Sequence, residues 1–537
     1  MKHVKKLLSI ILVLAMALTM ALPAAAEETG TGGNTLTINA KTEGHKYEAY
    51  QVFAGKISDG KLVDITWGKG VDGEALLTAL KGETFFAGAF DAATDAAGVA
   101  EALNGKEDKG EFANKFATVV SNHLSTIKHS GTADANKVCT ITGLPDGYYF
   151  VKDGEVDAGD TYTKFILWVT EDQTVTAKTD VPSAEKKVQE NTKYSGEDNP
   201  YRTGYNDVAD YNIGDKVPFA FYSKVPDMSN FETYKYIFHD DMSAGLTFNN
   251  DVKVTIGGTD VTASCEVKTT NNGFDVIFND LKTVAEAATG AAIRIDFTAT
   301  LNSGAAIGLP GNPNTLTLEY SNNPNDKNQT TTGTQDTVIV FTYELDVTKV
   351  DGSTLGDDGA ITDTTTKLEG VQFKLKNSAG EYVTVSTEEA TRGKVTGWKP
   401  AEADGSVLTT DADGQFIVSG LDAGTYKLVE TQPLPGYNTI NGEIEITITA
   451  ATDNRQDWSL TQQTPGLGEL TISTKIGNET TPGTGDKTTG KVKIIVVNNQ
   501  GVELPGTGGI GTTIFYVVGG ILVVGAAVLL IAKKRTK

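Results

Sequence analysis

Short runs of alternating apolar and polar residues recur along most of this chain and predict β-strands. Clear examples are residues 36–38, 274–278 and 293–300, where every second side chain is apolar. Residues 109–127 differ, because their apolar side chains return at helical spacing. The pattern therefore predicts a mainly β fold, with one added helix in the first part of the chain.

The runs fall into three groups. We expect a first domain at residues 27–177, a second at 178–342 and a third at 343–503. The boundary between the first two lies where a proline and a cluster of charges interrupt the alternation near residue 182. Residues 143–153 and 420–430 repeat one pattern of a tight turn, a strand with a tyrosine and a carboxylate. Short strands with regular turn signals are typical of immunoglobulin-like β-sandwiches, so tandem sandwiches are predicted.

Both ends of the chain have the features of processing segments. Three lysines precede an apolar stretch at residues 7–22 and a run of alanines, which predicts a signal peptide over residues 1–26. At the other end, residues 514–532 carry no charge and are followed by a basic tail. About 20 apolar residues cross a bilayer, and basic tails stay cytoplasmic, so the precursor is predicted to end in a transmembrane helix.

Composition narrows the possible functions. The chain of 537 residues has a net charge of −23, which argues against a nucleic-acid partner. Its two cysteines fall in different predicted domains, so a disulfide framework is not expected. Its five histidines show no paired ligand spacing, and no nucleophile or zinc motif is present, so we predict no metal, no cofactor and no enzyme activity. The Asp-rich turns at 357–358 and 411–414 fall short of a calcium loop and are interpreted as β-turns.

The segment before the apolar run resembles the cell-wall sorting signal of Gram-positive surface proteins. It consists of Leu504, Pro505, Gly506, Thr507 and Gly508. In that family a sortase attacks the threonine carbonyl, here that of Thr507, and releases everything from Gly508 onward. The resemblance implies a cell-surface protein that is joined to peptidoglycan, with pilin-class and housekeeping sortases as partners.

The third domain resembles a collagen-adhesin B-type domain in residues 345–349, 426–431, 435–437 and 494–498. In that family a buried lysine and asparagine condense to an isopeptide bond beside a glutamate, which implies Lys349, Asn498 and Glu430 here. Each shares a strand face with apolar residues two and four positions earlier. Burial favours the neutral amine and the neutral acid that such a reaction needs. The alternative is a buried Lys349–Glu430 ion pair with Asn498 as a bystander.

The second domain resembles the isopeptide-forming middle domain of fimbrial subunits. The resemblance and the strand phase imply Lys186, Asp240 and Asn322. A slip of one residue gives the alternatives Lys187, Asp241 and Asn323. In the first domain Asp153 stands where Glu430 does in the third, yet its closing strands contain no asparagine, so no cross-link is predicted there.

A polymer subunit also needs an exposed lysine that accepts the sortase intermediate. Trp168 followed by residues 174–178 resembles the pilin motif of backbone subunits, and this implies Lys178 as the acceptor. The match is imperfect, because Thr176 and Ala177 replace Tyr-Pro and one extra residue follows Trp168. We therefore expect the major pilin of a sortase-assembled pilus, joined head to tail to identical subunits, with possible ancillary pilins and host surface ligands as further partners. The alternatives are an ancillary pilin and a monomeric wall-anchored adhesin.

Overall fold

The computed structural model describes residues 33–40, 42–106, 111–156, 161–177, 181–191, 205–324, 326–356, 359–452 and 466–501. These residues form a mainly β protein, as predicted. Both cysteines are free. In the part of the chain that is described, no helix is long and apolar enough to cross a membrane. The predicted signal peptide and transmembrane segment lie outside the described residues.

The first sandwich pairs a three-stranded sheet, ordered β5-β1-β8, with a five-stranded sheet, ordered β3-β2-β6-β7 with β4 on β2. Its strands are β1 (Asn34–Asn39), β2 (Lys46–Ser58), β3 (Lys61–Trp67), β4 (His129–Thr132), β5 (Val138–Leu144), β6 (Gly147–Glu155), β7 (Lys164–Val169) and β8 (Gln173–Thr176).

Helices pack on the larger of these two sheets: α1 (Gly73–Gly82), α2 (Ala96–Leu103) and α3 (Glu111–Ser121). Helix α3 lies where the sequence predicts one, whereas α1 and α2 were not predicted. Asp72 caps α1 by accepting from the Ala75 N–H at 3.1 Å, and Asp95 caps α2 by accepting from the Gly98 N–H at 2.9 Å.

The second sandwich contains two larger sheets. One is ordered β10-β9-β12-β19-β15-β16 with β14 on β19, and the other is ordered β11-β21-β20-β13-β18-β17. The strands are β9 (Ala184–Gln189), β10 (Tyr205–Asn206), β11 (Val208–Asp210), β12 (Lys216–Lys224), β13 (Tyr236–Met242), β14 (Leu246–Phe248), β15 (Lys253–Ile256), β16 (Thr259–Asp260), β17 (Glu266–Thr269), β18 (Gly273–Phe278), β19 (Ala292–Leu301), β20 (Asn312–Ser321) and β21 (Thr330–Phe341).

The third sandwich consists of two facing sheets. One has four strands, ordered β27-β22-β33-β32, and the other has eight, ordered β25-β24-β23-β28-β29-β30-β31 with β26 on β23. The strands are β22 (Tyr343–Asp351), β23 (Gln372–Lys376), β24 (Tyr382–Val385), β25 (Val395–Lys399), β26 (Leu408–Thr409), β27 (Gln415–Leu421), β28 (Gly424–Gln432), β29 (Ile444–Thr452), β30 (Leu467–Ile476), β31 (Glu479–Pro482), β32 (Thr484–Asp486) and β33 (Lys491–Asn498).

The repeated turn in the first and third sandwiches has the same geometry in both. Tyr149 donates its hydroxyl to the carbonyl of Pro145 at 2.8 Å, and Tyr426 donates to that of Asp422 at 2.9 Å. Each tyrosine thus fastens the start of its strand, β6 or β28, to the preceding turn. Asp153 and Glu430, further along these strands, are consequently held at matching places in the two sandwiches.

Adjacent sandwiches are joined by packed contacts. The second and third share one continuous hydrophobic core. Between them, Tyr343 donates its hydroxyl to Asp210 at 2.9 Å. Between the first and second, the backbone N–H of Tyr162 donates to the carbonyl of Asn322 at 2.7 Å, and buried Lys164 donates to that of Pro324 at 3.1 Å.

Candidate functional site: two buried lysine clusters

The first and last strands of the third sandwich bring Lys349 and Asn498 together. Strands β22 and β33 are parallel neighbours in which Asp351 is paired with Asn498 and Lys349 with Val496. Lys349 and Asn498 are therefore diagonal neighbours on one face of the sheet, and that face points into the core. Glu430 reaches the same point from β28 in the facing sheet.

The three side chains contact one another in pairs. Lys349 Nζ donates to Asn498 Oδ1 at 2.6 Å, and Asn498 Nδ2 donates to Glu430 Oε1 at 2.8 Å. Glu430 Oε1 is also 3.4 Å from Lys349 Nζ. The second oxygen of Glu430 accepts from the backbone N–H of Ile440 at 2.8 Å, which fixes the rotation of the carboxyl group.

This cluster lies in an apolar interior. The side chains of Lys349 and Glu430 have no exposed surface, and Lys349 Nζ is 5.8 Å from the ring centre of Phe373. Burial lowers the pKa of Lys349 to about 8, and the nearby Glu430 only partly offsets this effect. An amine that loses its proton near pH 8 is a much better nucleophile than an ordinary lysine. The arrangement therefore places a nucleophile against an amide carbonyl, with a carboxyl group beside both nitrogens.

In the second sandwich, Lys186 and Asp240 meet across the core from facing sheets. Lys186 on β9 forms a buried ion pair with Asp240 on β13, and neither side chain is exposed. The rings of Phe219, Phe221 and Phe297 surround Lys186 Nζ at 5.8, 5.1 and 5.7 Å. Burial lowers the pKa of Lys186 to about 8 and raises that of Asp240 to about 6, so both groups are shifted toward their neutral forms.

The structure does not bring Asn322 to this pair. Asp240 is paired with Leu316 and Tyr236 with Tyr320, so Asn322 lies six residues further along than the level of Asp240. That separation is about 20 Å at roughly 3.3 Å per residue. The predicted trio is corrected at this position: Asn322 lies at the junction with the first sandwich, where its carbonyl accepts from Tyr162.

Asn314 takes the place beside Asp240. It precedes Leu316, the partner of Asp240, by two residues on β20 and therefore shares its face. Asn314 is fully buried and close enough to lower the pKa of Asp240, although the two side chains do not reach hydrogen-bond geometry. Asp240 Oδ1, Asn314 Oδ1 and Asn314 Nδ2 have no hydrogen-bond partner within the described chain. A buried polar atom without a hydrogen-bond partner lowers the stability of the fold by about 1–3 kcal/mol. The Asp240–Asn314 site therefore destabilises the sandwich unless its atoms form a further bond.

The alternatives one residue away lie elsewhere. Lys187 points to the opposite face of β9 and forms an ion pair with Asp207 at 2.6 Å. Asp241 is exposed, and Asn323 Nδ2 donates to the Gln329 side chain at 2.7 Å.

The first sandwich holds a different polar group at the corresponding position. Asp153 accepts from the backbone N–H and the hydroxyl of Thr163 at 2.6 and 2.7 Å. The ring of His45 lies 3.0 Å from its other oxygen. All three residues are buried. Asp153 is thus surrounded by hydroxyl, amide and imidazole groups.

Several predicted site residues lie outside the described part of the chain. Lys178, the five residues of the sorting motif at 504–508, and Asp357 and Asp358 lie outside the described residues. Lys178 directly follows Ala177, whose N–H donates to the Asn39 carbonyl at 3.0 Å at the end of β8. In the Asp-rich turn at 411–414, Asp411 Oδ1 accepts from the backbone N–H groups of residues 413 and 415. No cluster of metal-binding side chains occurs in the described parts of the chain.

Three family models match parts of the chain. Residues 213–324 match the Gram-positive pilin backbone subunit 2, Cna-B-like domain, and residues 360–463 match the SpaA prealbumin-like fold domain. Residues 496–537 match the LPXTG cell wall anchor motif. Together with the tandem sandwiches, these matches indicate a class of protein, the Gram-positive backbone pilins that carry a cell wall anchor motif.

Individual proteins of this class are similar over most of the chain. The trypsin-resistant surface T6 protein of Streptococcus pyogenes serotype M6 is 27% identical over 428 residues, which cover 68% of this chain and 70% of that protein. The solved T6 backbone pilin has a modular three-domain structure and superposes with a TM-score of 0.55 at 17% identity, covering 89% of this chain and 100% of that structure. The major pilin SpaD of Corynebacterium diphtheriae gives a TM-score of 0.48 at 15% identity, with 89% and 100% covered.

Proposed function

We propose that this structural pilus subunit forms the shaft of a covalently polymerised fibre, and that a self-formed isopeptide bond closes each of its second and third sandwiches. In the third the bond joins Lys349 to Asn498, and in the second it joins Lys186 to Asn314. The observation that carries the proposal is the buried contact of Lys349 with both Asn498 and Glu430.

The contacts in the third sandwich support a balanced reaction. Glu430 takes a proton from the Lys349 ammonium, and the resulting amine attacks Cγ of Asn498. Glu430, already 2.8 Å from Nδ2, passes this proton to it, and the C–N bond to Nδ2 breaks. Glu430 then accepts the surplus proton that remains on the Lys349 nitrogen and ends the reaction as a neutral acid. The products are a secondary amide and one molecule of ammonia. Glu430 can act at both steps because it lies beside both nitrogens.

The same chemistry is available in the second sandwich. Asp240 is the proton carrier, Lys186 the nucleophile and Asn314 the amide that is attacked. The raised pKa of Asp240 and the lowered pKa of Lys186 favour proton transfer between them. Formation of the amide would also remove the buried charges whose desolvation the fold must otherwise offset.

The position of the bonds suits a protein that bears tension. The third sandwich begins with β22 and the described strands end with β33, and Lys349 and Asn498 lie on these two strands. A pull between the two ends of this sandwich would therefore pass through the amide. The remaining strands would be shielded from the load, and unfolding by shear of backbone hydrogen bonds would be suppressed.

Polymerisation would use two residues that flank the sandwiches. A sortase would cleave after Thr507 and transfer its carbonyl to Lys178 of a second copy. Because donor and acceptor occupy different parts of the subunit, the contact is heterologous and produces an open filament. One relative is named for trypsin resistance, a property expected of a chain whose sandwiches are covalently closed.

Peptide mapping tests which asparagine reacts in the second sandwich. We would express residues 27–507 with Asn314→Ala or Asn322→Ala and identify cross-linked peptides by mass spectrometry. Asn314→Ala should abolish the linkage to Lys186, whereas Asn322→Ala should retain it. A linkage that survives Asn314→Ala, or that is lost only with Asn322→Ala, would contradict the assignment.

A further inference from the structure

The first strand of the second sandwich contains two adjacent lysines that are both buried. Lys186 and Lys187 have 0% and 1% of their surface exposed. Successive residues of a strand point to opposite faces, so only one of the two can face Asp240. A slip of one residue in β9 would exchange them, and the strand must therefore be held in register for the correct lysine to react.

Apolar residues hold this register only weakly. On the inward face of β9, Lys186 is accompanied by Ala184 and Val188, which provide little apolar surface. A slip would lose few apolar contacts compared with a strand rich in leucine or isoleucine. Another interaction is needed to distinguish the two positions.

Two carboxylates on the other face of β9 supply that interaction. Lys187 Nζ lies 2.6 Å from Asp207 Oδ1 and 3.6 Å from Asp336 Oδ2. Asp336 Oδ2 also accepts from the backbone N–H of Lys186 at 2.6 Å. Asp336 thus contacts the backbone of one lysine and the side chain of the next, an arrangement that is satisfied in one register only.

We propose that Asp207 and Asp336 are positioning residues for cross-linking: by binding Lys187 they set the register of β9 and thereby select Lys186 as the lysine that reacts. This inference rests on the proposed bond between Lys186 and Asn314. Buried ion pairs often contribute little net stability, and specifying register is the role for which they are best supported. In this register Asp207 and Asp336 bind Lys187 on the face of β9 opposite Asp240, and Lys186 faces Asp240 in the core.

The test uses residues 27–507 in a Lys349→Ala background, so that only the second sandwich can lose ammonia. We would compare this chain with its Asp207→Asn/Asp336→Asn variant by intact mass and peptide mapping over time after purification. The variant should cross-link more slowly, by ~10²-fold for a displacement of about 1 Å, and part of the product should be linked through Lys187. The matched control is Asp296→Asn, which removes a carboxylate paired with Arg294 on β19 of the same sandwich and should change neither rate nor site.

The outcomes separate the two proposals. If the Lys349→Ala chain itself loses no ammonia, the proposed cross-link fails. If it loses ammonia but the double variant cross-links at the same rate and only through Lys186, register selection is refuted. Slower reaction without any product at Lys187 also contradicts it, since a purely structural role would give that result. Should the double variant not fold, Asp336→Asn alone provides the same comparison, because this side chain is 20% exposed and easier to replace.

Discussion

Replacing Glu430 by glutamine should prevent the cross-link of the third sandwich while changing its shape very little. Glutamine still offers an oxygen to the Ile440 N–H, which Glu430 accepts at 2.8 Å, but its side chain cannot carry a proton from Lys349 to the leaving nitrogen. The expected result is a chain that folds with Lys349 and Asn498 in place but unjoined. Its mass should exceed that of the parent by about 17 Da for the retained ammonia, less the small difference between the two side chains.

The loss of stability can be estimated from the loop that the bond closes. Lys349 and Asn498 are 149 residues apart. On the chain-entropy model a cross-link of that span contributes about 5 kcal/mol. For a domain of this size, 1 kcal/mol shifts the melting temperature by roughly 2–4 °C, so a decrease of about 10–20 °C is expected.

Differential scanning calorimetry, with intact mass on the same sample, measures both effects. Glu430→Gln also leaves a buried lysine without its carboxylate, which destabilises the chain further. A Lys349→Met/Glu430→Gln double variant lacks the bond and both buried charges, so its difference from the parent reports the bond without an unpaired charge. Glu445→Gln, on the adjacent strand β29, is the matched control and should melt like the parent. If Glu430→Gln forms the bond at the parental rate, or if the uncross-linked variants melt within a few degrees of the parent, the reasoning is wrong.

Three further predictions concern charge and assembly. In Asn498→Ala the buried amine of Lys349 persists, with its pKa lowered to about 8. Between pH 8 and about 10.5 the unfolded chain therefore binds more protons than the folded chain, and the stability measured by urea unfolding should rise with pH over this range. A flat profile would contradict the assignment. Burial and the neighbouring Asp210 raise the pKa of Asp422 well above 3.8, so above about pH 4 the folded chain binds a proton that the unfolded chain has lost. The stability of the parent chain should therefore fall as pH increases above about 4, and Asp422→Asn should flatten this slope. An unchanged slope in the variant would refute the prediction. Lys178→Ala should leave monomer folding intact but abolish sortase-dependent ladders on immunoblots of cell-wall extracts, and persistent ladders would exclude this lysine.

The lysine cluster of the third sandwich could be predicted from the sequence because strand phase, the order of strands and the family resemblance pointed to the same residues. Lys349 and Asn498 lie on the first and last strands, and these strands are parallel neighbours. The residues two and four positions before Lys349 are apolar and those between them are polar, so its inward face was clear, whereas residues 494–497 are all apolar and the resemblance was needed to choose Asn498. Glu430 could be placed through the repeated turn, since Tyr426 fixes the start of its strand.

The Lys186–Asp240 cluster of the second sandwich shows where strand phase alone is insufficient to predict a site. Asn314 lies near the start of β20 and Asn322 directly follows its end, and the two have the same phase, so the alternation cannot distinguish them. Their height relative to Asp240 depends on the pairing of β13 with β20, which is set by partners distant in sequence. Phase correctly predicted the face of Lys186 and Asp240 but could not provide the register of the asparagine.

Helices α1 and α2 were missed for a local reason. Their apolar residues are largely alanine and leucine in short segments, and such runs are not clearly separated from strands by periodicity. The aspartates that cap them, Asp72 and Asp95, were the signal that could have identified both helices.

The intact mass of residues 27–507 tests the central claim most directly. Two self-formed isopeptide bonds should lower the mass by about 34 Da from the value calculated from the sequence, because each releases one ammonia. Peptide mapping should locate them at Lys186–Asn314 and Lys349–Asn498. A mass equal to the calculated value would show that the buried clusters are only polar contacts, and would contradict the account of this subunit as a covalently reinforced shaft.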